Sequence, residues 1–112
     1  MIVPNASKIY VVIRTRGAGW KAGAPLEAQS DWTAHAEFMD SLESEGAVLL
    51  AGPLENSSDV LIVMRAESPE VIEARLAEDI WTQNGMLATT RISPWILRIG
   101  AFRFPQVTTP AE

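Results

Sequence analysis

Ala47-Val-Leu-Leu-Ala-Gly-Pro-Leu-Glu-Asn-Ser-Ser-Asp-Val-Leu-Ile-Val-Met-Arg-Ala66 is the stretch that decides the fold. Its aliphatic ends, Ala47 to Ala51 and Asp59 to Ala66, read as strands, with Gly52-Pro53 ending the first and the polar run Glu55 to Ser58 turning the hairpin. Helical patterns flank this hairpin. Before it, Asp31 to Glu45 repeats apolar residues at helical spacing, with Ser30 or Asp31 as the cap and Gly46 as a natural C′ residue. After it, Ser68 followed by Pro69 opens a second helix running to about Asp79. Lys8 to Thr15, rich in β-branched residues, supplies an earlier strand, and Ala88 to Ile99 supplies a last one beyond the Asn84-Gly85 break. The order is therefore β-α-β-β-α-β, an α+β unit in which two helices cover one face of an antiparallel sheet.

The strands carry more apolar surface than two helices can cover. Lys8 to Thr15 offers Ile9, Val11 and Ile13 on one face and Tyr10 and Val12 on the other; the third strand offers Val60, Ile62 and Met64 against Leu61 and Val63. A sheet with one wet face should alternate cleanly. The bare face would exceed the apolar patch a soluble monomer usually exposes, so a second copy packed sheet to sheet is expected.

At 112 residues the chain is one domain, residues 1–112, with its core over about 8–100 and a tail or arm over 101–112. A net charge of −5 and a pI near 4.8, with nine scattered basic residues, argue against nucleic acid or an anionic membrane as partner. No cysteine is present, which excludes disulfides, thiolate metal sites and a cysteine nucleophile. Neither a leader nor a long apolar segment is legible, so a cytoplasmic location is expected, and the sequons at Asn5 and Asn56 read as chance matches. The β-α-β-β-α-β order also occurs in RNA-recognition modules, but Val60-Leu-Ile-Val-Met-Arg65 lacks the sheet aromatics such modules stack on bases.

His35 is the one histidine of the chain. Helical spacing sets it among Trp32, Phe38, Met39 and Leu42, opposite Thr33, Glu37, Asp40 and Ser44. A histidine on an apolar stripe is either held neutral by hydrogen bonds or used to move protons. Ile72, Leu76 and Asp79 fall on one face of the second helical segment, which makes Asp79 a possible partner. Asp is poorly placed at a helix C-terminus, where the partial negative charge repels it, and a nearby protonated imidazole would explain the choice. The residues alone leave two readings open: a His–Asp pair for acid–base work, or a core histidine satisfied by a backbone carbonyl.

Trp32-Thr-Ala-His35, Gly46, Leu-Leu-Ala-Gly52-Pro53, Ala-Glu-Asp79-Ile-Trp81-Thr-Gln-Asn-Gly85 and Ile92-Ser-Pro94-Trp95 together resemble the YCII-related family of the dimeric α+β barrel superfamily. The resemblance runs from Ile9 to about Trp95. It departs at Ile80, where the family usually places a proline after the aspartate. It implies a ferredoxin-like fold, a sheet-to-sheet homodimer and a catalytic His–Asp dyad, here His35 and Asp79. It also implies cofactor-free chemistry of the lyase or isomerase kind, best understood as chloride elimination from a chlorinated hydroxyquinol. On this reading His35 takes a proton from a small aromatic or enolisable substrate and Asp79 holds the ring tautomer. Trp32 and Trp81 are candidate pocket walls, or else plain core; Pro53 of the Ala-Gly-Pro turn is a candidate substrate contact. Arg14 or Arg91 is placed to meet a substrate anion, or else lies at a solvated strand end. No cofactor and no metal are expected. A non-catalytic small-molecule-binding module and a cofactor-free oxygenase are the alternatives.

Gly17-Ala-Gly-Trp20-Lys-Ala-Gly23 lacks the residues of a phosphate-binding loop or dinucleotide fingerprint. It reads as a surface loop, or as a lid carrying Trp20.

Overall fold

The computed structural model describes residues 7–100. The elements follow as β1 (Lys8–Arg16), a single 3₁₀ turn (Leu26–Ala28), α1 (Trp32–Ser44), β2 (Val48–Pro53), β3 (Asp59–Ala66), α2 (Pro69–Leu76), α3 (Ile80–Gln83) and β4 (Leu87–Pro94). The four strands form one antiparallel sheet in the order β2-β3-β1-β4, which is the ferredoxin-like topology.

Alternation along β1 sends Tyr10 and Val12 toward the helices. There they join Ile62 and Met64 of β3, Val48 of β2, Leu42 of α1 and Ile72 and Leu76 of α2 in the main core. Arg14 is the next residue on that face of β1 and is completely buried. A second apolar cluster, Trp81, Met86 and Leu87 with Trp20, Leu26 and Trp32 against it, fills the end of the molecule beyond Arg14. The other sheet face carries Val11, Ile13 and Leu61, partly exposed, and β2 contributes Leu50, which is 56% exposed.

Three element boundaries differ from the sequence reading. β2 continues through Gly52-Pro53 instead of stopping there, because β2 is an edge strand where a proline's missing donor costs no ladder bond. β4 ends at Pro94 rather than Ile99: Trp95 still donates to the Ile9 carbonyl at 2.8 Å, but Ile96 and Ile99 are exposed. The second helical segment breaks after Leu76, and Asp79 begins a separate short helix.

Caps account for the helix ends. Ser68 accepts from the Val71 amide, with Pro69 in the first turn of α2, and Gly46 takes a left-handed φ of 85° after α1. Asp31 holds the N-cap position of α1 but its side chain caps nothing. Its backbone is left-handed and its carboxylate accepts instead from Asn84 Nδ2 at 3.0 Å. Residues 101–112, read as a tail or arm, lie outside the described residues.

Candidate active site

Asp79 stands where the chain turns from α2 into α3. Its Oδ1 accepts from the Trp81 amide at 3.1 Å, an N-cap bond that places the carboxylate at the favourable, positive end of α3. The electrostatic conflict posed by an aspartate at the end of a long second helix is thereby removed. The helix has ended at Leu76 before Asp79 is reached.

Two further groups converge on this carboxylate. His35 Nδ1 lies 3.0 Å from Oδ1 and 2.9 Å from Oδ2, and Arg14 Nη1 donates to Oδ2 at 2.8 Å. Neither Asp79 nor Arg14 has exposed surface, while the His35 side chain keeps 11%. The other arm of the Arg14 fork donates to Thr82 Oγ1, which itself donates to the Leu76 carbonyl at 2.6 Å. One guanidinium therefore ties the carboxylate to the first turn of α3. Arg14 Nε is buried without a partner.

Burial pushes the Asp79 carboxyl up, as it does any carboxylate withdrawn from water. Hydrogen bonds from His35, Arg14 and the Trp81 amide, together with the charge of His35, outweigh it and hold the group below the ordinary carboxylate value. An ionised Asp79 only accepts hydrogen bonds, so the ring nitrogen facing it, Nδ1, carries the proton. Nε2 is the other ring nitrogen, and it hydrogen-bonds nothing among the described residues.

Aromatic packing fixes the ring plane. Trp81 stacks on His35 with centroids 3.8 Å apart and planes at 8°, and is itself anchored by Nε1 donating to the Ser30 carbonyl at 2.6 Å. Trp32 lies 6.0 Å from His35 and 5.8 Å from Trp81, and Trp20 meets Trp81 edge-on at 5.5 Å. Beyond it, the Arg16 guanidinium sits 4.3 Å over the Trp20 ring.

Trp20 reaches this cluster because its loop is bound at both ends. Gly17 and Gly19 donate to the Met86 and Gly85 carbonyls, and the Gln29 side chain bonds the backbone of Lys21 and Ala24. A Cβ on Gly17 would meet the Gly85 oxygen at 2.4 Å, so this contact requires glycine.

Trp32 is partly exposed and lines a depression of about 540 Å³ with Glu27, Gln29, Asp31, Thr33, Ala34 and Glu37. His35, Asp79 and Trp81 are not among its lining residues. Trp81 is 1% exposed, so it backs the imidazole rather than facing solvent. Pro53 is opposite Val60, itself opposite Arg14, which puts all three in one cross-strand row on the helix side of the sheet. Two strand spacings, about 10 Å, separate Pro53 from Arg14. Arg91 is exposed and bonds its neighbour Ser93. Among the described residues, no three His, Asp or Glu side chains are grouped to hold a metal ion. No helix among them is long and apolar enough to cross a membrane.

Residues 18–96 match the model of the YCII-related domain. The chain belongs to the YCII-related family. The match begins after β1, so Arg14 stands outside it. No curated protein matches the sequence significantly. Among solved structures, the fold is similar to the 5-chloro-2-hydroxyhydroquinone dehydrochlorinase from Burkholderia phenoliruptrix AC1100, solved in complex with 2,5-dihydroxybenzoquinone. The TM-score is 0.58 and the identity 19%, over 79% of this chain and 93% of that one. At this identity the likeness is one of fold.

Sequence reasoning proposed the pairing of His35 with Asp79 but not the role of Arg14, Thr82 or the Trp81 stack in this YCII-related chain. The alternation Tyr10, Val12, Arg14 carried the signal for Arg14. A cation continuing a buried strand face requires a buried anion, and Asp79 is that anion.

Proposed function

We propose that this chain is a small cofactor-independent enzyme in which His35 moves protons on a hydroxylated aromatic or enolisable substrate and Asp79 orients the ring. The observation that carries this reading is the bond from His35 Nδ1 to a completely buried Asp79, which turns Nε2 away as the free base. Asp79 stabilises the imidazolium formed when Nε2 accepts a proton, and the stack on Trp81 keeps the ring in place as it does so. Trp32 is the partly exposed aromatic beside the ring and offers an apolar wall for a planar substrate; Pro53 is assigned a more distant contact on the same side of the sheet.

The dehydrochlorinase likeness suggests a first substrate to try. A chlorinated hydroxyquinol gives a hydroxyl proton to Nε2 and takes it back at the chlorine-bearing carbon. It then loses chloride as a second hydroxyl proton leaves, so the products are a hydroxyquinone, chloride and one proton. The reading includes a homodimer closed sheet to sheet over Val11, Ile13, Leu61 and Leu50, whose exposed apolar surface supports it.

Chloride release from a panel of chlorinated hydroxyquinols, with oxygen uptake recorded in parallel, tests the reading. Turnover without oxygen uptake, lost by about 10²-fold or more in His35→Gln while binding persists, is the expected result. Equal turnover in His35→Gln would overturn it. Binding with no turnover would make the chain a small-molecule-binding module, and stoichiometric oxygen uptake would make it an oxygenase.

A further inference from the structure

The sequence places Arg14 to meet a substrate anion or at a solvated strand end, and its complete burial against Asp79 suits neither. We propose that Arg14 is a positioning residue for the His35–Asp79 pair: its guanidinium balances the carboxylate, so that the imidazole stays uncharged with Nε2 open until substrate arrives. The proposal rests on the acid–base reading above for its consequence on turnover, but its structural content is tested without substrate.

Charge balance governs a site this deeply buried. Asp79 and Arg14 are both completely buried and 2.8 Å apart, so together they carry no net charge. A neutral His35 leaves the three-residue site neutral, and a protonated one leaves it with a buried positive charge. Without Arg14 the order reverses, because Asp79 would then be balanced only by an imidazolium. A base already holding its second proton cannot accept another from substrate. Arg14 also makes two bonds at once, to Asp79 and to Thr82, so it fixes the direction of the carboxylate as well as its charge.

Other charged groups near the ring do not change this count. On its own helix Asp31 and Glu37 are exposed, as is Glu27 on the 3₁₀ turn packed against α1, and Asp31 is engaged by Asn84. From β1, the Arg16 guanidinium is engaged over the Trp20 ring. Asp79, from the start of α3, is the one that touches the imidazole.

The test is the ¹⁵N NMR signature of His35 in the full chain, which reads directly whether each ring nitrogen carries a proton. In the wild type near about pH 8, above the ordinary histidine range, the expected spectrum has a protonated Nδ1 and a bare Nε2. In Arg14→Met the bare-Nε2 signal is expected to be lost at the same pH, and in Arg14→Lys, which keeps the charge, it is expected to persist. Where an active substrate is in hand, Arg14→Met should lose about tenfold or more in kcat/KM at neutral pH and recover as the pH is raised. A purely structural role would give no such recovery. An unchanged bare Nε2 in folded Arg14→Met overturns the proposal. If Arg14→Met does not fold, a wild-type or Arg14→Lys ring protonated on both nitrogens at about pH 8 overturns it instead. Failure of the enzymatic reading would appear separately, as absence of turnover in a wild type whose spectrum is as expected.

Discussion

Replacing Asp79 by Asn removes one negative charge and puts an amide NH2 where Oδ2 accepts from Arg14 and faces His35, so the consequence can be worked from the geometry. Asn Oδ1 still accepts from the Trp81 amide, and the cap of α3 is largely kept. The loss falls on Arg14, which is completely buried and has Asp79 as its counter-ion. Breaking a buried ion pair by removing one partner costs about 3–5 kcal/mol, against a total of about 5–15 kcal/mol for a domain. For a chain of this size that lowers the melting temperature by about 10 °C or more. Arg14→Met should cost less, because an imidazolium at His35 then balances Asp79. The double substitution Arg14→Met with Asp79→Asn should cost less than the sum of the two by about 2 kcal/mol or more, since removing Arg14 also removes the buried charge that Asp79→Asn strands. Urea unfolding followed by tryptophan fluorescence gives all three values. A cost under about 1 kcal/mol for Asp79→Asn, or a double mutant whose cost is simply additive, would refute the reasoning.

The pH dependence of stability follows from the same carboxylate. The Asp79 value is lowered in the folded state below that of the unfolded chain, so its contribution is fully present above about pH 4 and is lost as the pH falls through the folded value. Acid unfolding curves should therefore steepen below about pH 4 in the wild type, and lose that component in Asp79→Asn. Gly17→Ala should destabilise by about 1–3 kcal/mol, because its Cβ meets a backbone oxygen that cannot rotate away; a cost near zero would mean the loop seats differently on the Asn84-Gly85 turn. Ile13→Lys should convert the proposed dimer to a folded monomer in sedimentation at micromolar concentration, since it puts a charge in the sheet-to-sheet contact. A wild type already monomeric would remove that part of the account.

The fold was legible because its signals are local and repeated. The hairpin over Ala47 to Ala66, the Ser68-Pro69 start and the helical stripe around His35 each name an element, and their order leaves one common topology. What escaped was set by tertiary contacts. The break after Leu76 has no glycine or proline to announce it; it is stabilised where Asp79 caps α3 and bonds two side chains from distant elements. Asp31, by pattern a cap, is drawn away by Asn84 from across the fold. Arg14 continues the buried alternation of Tyr10 and Val12, but it lies near a strand end that reads as solvated, and the sheet order with α3 shows which anion it meets. The histidine and its carboxylate were named from spacing and resemblance together, whereas the group that balances them required coordinates.

The central claim is that Nε2 of His35 exchanges protons with a bound substrate. Incubating the protein with 2,5-dihydroxybenzoquinone or a chlorinated hydroxyquinol in deuterated water, and following the ring hydrogens by ¹H NMR, measures that step whether or not chloride leaves. The account predicts exchange of ring hydrogen for deuterium at least about 10²-fold faster with the wild type than with His35→Gln. Exchange at the same rate with both proteins, under conditions where both bind the compound, would contradict it.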